Sequence, residues 1–426
     1  MARVVVVGGG WAGCAAAYAA SRAGAETQLL ERTDMLLGTG LVGGIMRNNG
    51  RLTAAEELIF MGGGELIKAC DRAARHTNVD FPGHKHASLY DITRVLREVE
   101  RALQAAGVTV EYQTRVSKVS VDNGKILKVK SSDGREFAGD VFIDATGSAG
   151  PVKSCKARGR GCVMCIIRCP AFGGRVSLCE EAGIEEFAAV QPDGTEGAVS
   201  GSCKLLKDSL SRDIVERLDR KGIAVVPIPK DLITEGSLGR KVCQQYGTED
   251  YMNNIVLLDT GHAKMMAPWF PLEKLRKIPG FERVRYEDPY AGGKGNSVRM
   301  TAMVIREDTM QVSSGKNLFC AGEKAGPLVG HTEAILTGTL AGHNAVRYVL
   351  SMPLLRLDEE TASGDFIKYT GDRIKDKEGR NEKYTFSGAQ YFERMKQKGL
   401  YTASLETIGK RVGKGGLTGI FAKKLL

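Results

Sequence analysis

Nowhere in the chain does an apolar run approach the roughly 20 residues needed to span a bilayer, which excludes a membrane-spanning helix. The apolar N-terminal stretch runs into glycines rather than a signal-peptide cleavage site, so the expected compartment is the cytoplasm, with no membrane partner. That compartment excludes a disulfide framework for the ten cysteines and points to buried thiols, redox chemistry or metal. A second complete G-x-G-x-x-G unit after a strand is missing, so nothing marks a separate site for NAD(P)H. Acidic residues are absent from Pro151 to Leu178, where Lys153, Lys156, Arg158, Arg160, Arg168 and Arg175 lie. What is present, 426 residues with 42% hydrophobic and 26% charged, suits a globular chain of two or three domains. The net charge of +10 invites an acidic partner such as RNA, although the positive residues are spread along the chain.

The most informative stretch is Val4-Val5-Val6-Val7-Gly8-Gly9-Gly10-Trp11-Ala12-Gly13 with the alanines that follow. Four β-branched residues predict a strand buried on both faces, and the alanine run predicts a helix packed against it. Gly8, Gly10 and Gly13 fit the dinucleotide fingerprint: a tight turn, close approach of a pyrophosphate to the backbone, and close helix-on-strand packing. The next apolar run ends in Glu31, followed by Arg32, where the fingerprint calls for an acid about 20 residues downstream to accept a ribose hydroxyl.

Leu36 to Met46 is a glycine-rich loop, followed by helical patterns around Ala54–Leu58 and Gly64–Arg75. His84 and His86 are expected in a solvated loop, and Leu89 to Ala106 in an amphipathic helix closed by Gly107. Asn123-Gly124 and Asp133-Gly134 predict hairpin turns of a small meander. It leads into a buried strand ending Asp144-Ala145-Thr146-Gly147.

With Thr114-Arg115-Val116 and Asn317-Leu318-Phe319-Cys320-Ala321-Gly322-Glu323, these blocks resemble glutathione-reductase-type FAD-dependent oxidoreductases. The glycines alone could hold NAD equally well; FAD is implied by the resemblance. So are Val116, Ala145, Thr146, Gly147, Gly322, Glu323 and the helix start Gly330-His331-Thr332 as cofactor-binding positions. Gly40 to Gly44 and Gly338 to Ala345 are most similar to bacterial and archaeal FAD-dependent oxidoreductases, and the latter also to FAD-dependent tRNA-modifying enzymes. The folate-dependent uridine methyltransferases among them carry a cysteine shortly after the acidic ribose ligand. This chain has Leu41-Val42-Gly43-Gly44 there and departs from that pattern.

A second stretch, Cys162-Val163-Met164-Cys165-Ile166-Ile167-Arg168-Cys169-Pro170, resembles the last three ligands of a ferredoxin run, with Gly159 where the first cysteine would stand. Three readings stand side by side. A [4Fe–4S] cluster would take Cys162, Cys165 and Cys169, with Cys155 preferred as fourth ligand and Cys179 and Cys203 as alternatives. A Cys162/Cys165 dithiol could exchange electrons with flavin, its thiol pKa lowered by nearby arginines. Or the three thiols form one buried helix face.

From Ala182 to about Gly315 the pattern changes to short mixed runs. Ser209–Lys221 reads as an exposed helix, Ile223–Pro229 as an edge strand, and Asn254–Asp259 as a buried strand. Thr260 to Lys264 is a plausible substrate contact; His262 is a candidate general acid or base and Arg299 a candidate anion anchor. From Ser351 to Leu426, 15 Lys and Arg face 10 Asp and Glu among interleaved aromatics, which suits an RNA surface or a tail docked on the body or on a second copy in a homo-oligomer. Its stretch Gly413 to Gly419 reads as mobile.

The expected fold is α/β: a Rossmann-like FAD domain, mainly parallel sheet with a β-meander, from 1–150 and 315–350. A cysteine-containing α+β substrate region, 151–314, is inserted in it, and a helical basic tail follows, 351–426. The expected function is an FAD-dependent oxidoreductase passing electrons between flavin and the cysteine centre, with a small-molecule substrate or electron carrier. Alternatives are an FAD-dependent tRNA-modifying enzyme and a non-catalytic FAD-binding electron-transfer subunit.

Overall fold

Val4 to Val7 are all buried, and a strand with both faces covered belongs inside a parallel sheet. In the computed structural model it does. That structure describes residues 2–147, 169–190, 198–199, 203–233, 245–267, 270–287, 298–299 and 302–426. Five parallel strands run in the order Leu318–Cys320, Val141–Asp144, Arg3–Val7, Glu26–Leu30, Thr109–Glu111. The segment contributed from beyond residue 315 therefore sits at the sheet edge beside Val141–Asp144, so strands far apart in sequence complete one parallel sheet.

Helices Trp11–Arg22 and His331–Val349 pack closely on each other and both contact this sheet, the first mainly at Arg3–Val7 and Glu26–Leu30, the second at Val141–Asp144 and Leu318–Cys320. Gly338 and Gly342 make the close approach possible: a β-carbon built on either would overlap the carbonyl oxygen of Ala12 or Ala16. Both glycines fall in the segment that carried the resemblance to flavoproteins. Their spacing of four puts them one above the other on a single helix face.

The meander Val116–Asp122, Lys125–Ser131, Glu136–Ala138 is antiparallel, and Asn123 and Gly124 both have positive φ, as a type I′ turn requires. Two expectations nearby are corrected. His84 is not in a solvated loop but in the hairpin Ala74–Phe81/His84–Tyr90, buried and stacked on Phe81 at 4.6 Å. Burial, with Arg51 nearby, pushes its pKa down to about 3, so it is neutral. The helix expected from Leu89 begins only at Val95, because Leu89 and Tyr90 finish the strand and Asp91 makes an Asx turn, accepting from Thr93 N at 2.9 Å.

The inserted sheet is antiparallel, ordered Cys203–Leu205, Ala263–Met265, Asn254–Asp259, Ile223–Pro227, with the proline-containing strand on the edge as expected. Its alternation decides its packing. Ile255 and Leu257 face a core under helix Arg212–Lys221, whereas Val256 and Leu258 face Val79 and Leu89 of the hairpin sheet. Asp259 ties the two sheets together, accepting from His76 Nε2 at 2.8 Å and Arg75 Nε at 3.1 Å, with Lys207 also at 3.1 Å.

The C-terminal segment is helical, with helices Ala362–Arg373, Ala389–Gln397 and Leu405–Lys414 packed on the body. Its glycine-rich stretch, read as mobile, is pinned instead: Leu417 is buried and Gly419 N donates to Phe60 O at 2.9 Å. No helix among the described residues is long and apolar enough to cross a membrane.

Candidate cofactor site

The first βαβ turn is shaped by main-chain contacts. Gly8 has φ +102°, and a β-carbon on Gly13 would overlap the Gly8 carbonyl oxygen, so only glycine lets the helix start this close to the strand. Gly10 caps the helix without a side-chain hydrogen bond and has open space where a β-carbon would stand. The first N–H groups of the helix are thus available to an anion. Glu31 is buried and holds the turn from the other side, accepting from Gly9 N and Thr33 N at 2.8 Å each. A carboxylate oxygen accepts more than one bond, so these contacts leave Glu31 able to take a ribose hydroxyl.

The outer half of a cleft opens here. It is lined by Gly8, Gly10, Glu31, Arg32, Val116, Ala145, Thr146, Gly147 and Glu323, all expected from the sequence, and by Gly9, Thr114, Arg115 and Arg175. Arg115 Nε donates to Gly174 O at 2.7 Å and Arg32 to Gly173 O, so these arginines tie the 173–174 loop to the mouth. The inner half is lined by Gly10, Gly322, Glu323, Gly330 and His331, together with Trp11, Gly43, Arg51, Tyr246, Lys264 and Met266. Gly10, Thr39, Ala145, Gly147 and Glu323 belong to both halves, making one continuous cleft. Thr332 is fully buried at the helix start, and neither its Oγ1 nor Trp11 Nε1 has a hydrogen-bond partner among the described residues. A main-chain cradle for phosphates continuing into a larger chamber walled by Trp11, Tyr246, Met266 and several charged groups, with the Trp11 donor unused, fits FAD.

Several buried pairs hold this shape. Arg51 pairs with Glu333 at 3.1 Å, while Thr385 Oγ1 and Phe386 N donate to Glu333 at 2.6 and 3.0 Å. Removing one partner of such a pair costs about 3–5 kcal/mol because the other charge stays buried. Tyr90 OH donates to Gly40 O at 2.9 Å and lies 3.1 Å from His331 Nδ1, fixing the imidazole in the wall. Asp144, at the end of its strand, accepts from Thr146 N at 3.0 Å and Cys179 N at 2.9 Å, which sets the Ala145–Gly147 bend. Burial alone would raise the Asp144 carboxyl, but the Lys324 charge and the hydrogen bonds from Thr146 and Cys179 together outweigh it and hold it below the usual range. Lys324 Nζ also meets Glu186 at 2.6 Å, and there burial prevails and raises the carboxyl.

The cysteine centre is a different matter. Cys155, Cys162 and Cys165 lie outside the described residues, as do the side chains of Cys169 and Arg299. Of the alternative ligands, Cys203 is buried in the core of the inserted sheet. Cys179 places its sulfur near Asp144 and Glu186, within 4.8 Å of ligand atoms of both. Burial and the Asp144 charge push its thiol well up, so it stays protonated, and Lys324 already supplies the cation there. His262, the candidate general acid or base, pairs with Glu287 at 2.9 Å and is not among the side chains lining the cleft, whereas Lys264, two residues on, is.

The match to known proteins follows the same segments. The model of a family described as glucose inhibited division protein A covers residues 3–266 and 264–353. The chain belongs to this family. Among relatives of the glucose inhibited division protein A type, the tRNA uridine 5-carboxymethylaminomethyl modification enzyme MnmG of Thermus thermophilus is 25% identical over 430 residues, covering 88% of this chain and 68% of that protein. The methylenetetrahydrofolate–tRNA-(uracil-5-)-methyltransferase TrmFO of Dinoroseobacter shibae is 35% identical over 97 residues, 23% of this chain and 21% of that one. The solved structure of Aquifex aeolicus GidA superposes with a TM-score of 0.71 at 18% identity, over 98% of this chain and 74% of that one, a likeness of fold. Membership makes the chain an FAD-dependent enzyme of the oxidoreductase type.

Trp11, Arg51, Tyr90, Tyr246 and Met266 were not foreseen as parts of this site. Trp11 stood inside the glycine motif and could have been read as wall. Arg51 and Glu333 lie 282 positions apart and carry no local signal.

Proposed function

We propose that the chain is an FAD-dependent tRNA-modifying enzyme acting on a uridine base, with a small-molecule donor or electron carrier as second substrate. The observation that carries this is the extent of the likeness to the Thermus uridine-modifying enzyme, 88% of this chain, rather than a shared nucleotide-binding motif alone. The net charge of +10 is consistent with a polyanionic substrate.

Gly8, Gly10 and the helix start at Trp11 bind the pyrophosphate through N–H groups, and Glu31 takes the ribose. Glu323, which lines both halves, would help hold the cofactor at their junction. Gly330 and His331 close the inner end, where Trp11, Tyr246 and Met266 exclude water, and Thr332 lies buried behind them. When bound, FAD supplies hydride and electron transfer, while the protein supplies orientation and electrostatics.

The test is a binding titration of bulk tRNA to the FAD-loaded protein over a range of salt. Tight binding at low salt that falls steeply as salt rises is expected, because each neutralised phosphate releases counterions. No measurable binding at low salt removes the reading. A second reading, electron transfer between flavin and a [4Fe–4S] cluster at Cys155, Cys162, Cys165 and Cys169, rests on the C-x2-C-x3-C-P spacing alone. Anaerobic purification with iron analysis separates the two: about four iron atoms per chain, lost in Cys165→Ser with FAD retained, would restore the cluster.

A further inference from the structure

We propose that residues 173–179 form a strap across the outer half of the cleft, and that Arg32 and Arg115 are positioning residues that hold it down and so set how fast the cofactor enters and leaves. The two ends of this segment are tied to different strands of the parallel sheet. At one end Arg115 Nε donates to Gly174 O at 2.7 Å and Arg32 donates to Gly173 O. Arg32 stands just beyond the strand Glu26–Leu30, and Arg115 just before the strand Val116–Asp122. At the other end Cys179 N donates to Asp144, the last residue of Val141–Asp144, at 2.9 Å, and Ser177 Oγ accepts from Lys324 Nζ at 3.1 Å.

Strand Arg3–Val7 lies between Glu26–Leu30 and Val141–Asp144, and all three run parallel, so their C-terminal ends share one edge of the sheet. Two strand spacings, about 10 Å, separate the outer pair, which a segment of this length crosses easily. Its path runs over the end of the middle strand, where the Gly8–Gly10 turn begins. Arg175 and Val176, between the two anchors, line the same cavity as Gly8, Gly9 and Gly10, which places the middle of the segment against the cradle.

The two anchors differ in kind. Asp144, Ser177, Cys179 and Lys324 are all buried, which makes that end a fixed hinge. The other end is held by partly buried bonds to the carbonyls of two glycines, which have no side chains to pack, and Gly173 has φ +76°. That is the end that lifts. A strap closed over both the empty and the filled cleft slows entry and exit alike, whereas a group that touches the cofactor acts mainly on exit.

The test measures FAD association by quenching of flavin fluorescence and dissociation by chase with an excess of a second flavin-binding apoprotein, in wild type, Arg115→Gln and Gly173→Val. Gly173 does not line the cleft, and a β-carbon on it would lie 2.9 Å from Arg115 Nε, so this variant disturbs the same anchor from the strap side. Both variants are expected to raise both rates about fivefold to tenfold, as loss of one hydrogen bond would give, with the dissociation constant moving less than about threefold. In the cofactor-free protein, hydrogen exchange at residues 174–176 should quicken while the Cys179 amide, held by Asp144, keeps its protection. If Arg115→Gln raises dissociation alone and weakens affinity in proportion, the arginine is a direct cofactor contact and the proposal falls. Unchanged rates in Gly173→Val overturn it as well. Should Arg115→Gln fail to fold, Gly173→Val decides by itself. The proposal rests on FAD occupying the cleft: wild type that binds no FAD overturns that reading and the strap together, whereas wild type that binds it while the variants match it overturns the strap alone.

Discussion

The outer half of the cleft is built around a glycine main-chain turn, whereas the inner half is walled largely by side chains brought from distant segments. In the outer half Gly8, Gly9 and Gly10 present their backbone, and Glu31 holds the turn by accepting main-chain N–H groups. The inner half takes Trp11 from the first helix, Arg51 from the second, Tyr246 and Lys264 from the inserted region and His331 from the last helix of the core fold. A surface built of backbone needs glycine at fixed spacing and little else, and fixed spacing is visible in one dimension. A chamber built of side chains from five segments leaves each residue type free to vary, and its members meet only in three dimensions.

The glycines offer the strongest way to break that contrast. Gly13→Val places a branched side chain onto the Gly8 carbonyl, against backbone that cannot yield, and should cost more than about 4 kcal/mol. Thermal melting or loss of soluble protein reads this directly. Gly10→Val, three residues away, places its β-carbon in open space and should change the apo-protein melting far less than Gly13→Val does. It should still lower FAD affinity by about 100-fold, or about 2.7 kcal/mol, because its methyl groups occupy the phosphate cradle. Full FAD occupancy in Gly10→Val would sink the assignment of the outer half.

A smaller effect tests how the inner half is held together. Asp259 anchors the inserted sheet to the hairpin beside it; burial alone would raise its carboxyl, but His76, Lys207 and Arg75 outweigh that and hold it below the usual range. A depressed folded-state pKa gives stability that is present above about pH 4 and lost as pH falls through the depressed value. Asp259→Asn should therefore lose about 1–2 kcal/mol at neutral pH and little further on acidification, so that urea midpoints of variant and wild type converge below about pH 4. Parallel curves at every pH would show that the carboxylate charge does not serve this joint.

The same contrast explains what could be read from the chain. The valine strand, the glycine turn, Glu31, the Asn123-Gly124 hairpin and the Asp144–Gly147 bend were legible because each follows from a local rule of burial, φ or spacing. The edge position of Ile223–Pro227 followed from a missing N–H at proline. His84 misled because its polar neighbours, His86 and Lys85, suggest solvent, while the aromatic rings that bury it come from Phe81 and from Tyr246, more than 150 residues on. In Thr260–Lys264 the histidine is the familiar acid–base residue type, yet it is Lys264 that lines the cleft, because alternation along the strand Ala263–Met265 and not residue type decides which side chain faces it. Helix Leu89–Ala106 was drawn too long because Asp91 fits the start of a helix and an Asx turn equally well.

Residues 385–387 give the fold an order of events. Thr385 and Phe386 bind Glu333, the carbonyl of Ser387 accepts from Asn49 Nδ2 at 2.8 Å, and the Ser387 hydroxyl meets Gln245, so three chain segments converge on one short loop. The Asn49 closure spans 338 residues, and long closures are entropically the last to be rewarded. On a ribosome, the glycine turn emerges before this loop, whereas Glu333, the partner of the cleft residue Arg51, gains its contacts to Thr385 and Phe386 only once residues 385–387 have been synthesised. Nascent chains halted before residue 385 should therefore carry the turn with Arg51 less firmly held, and should retain the cofactor less well than the full chain.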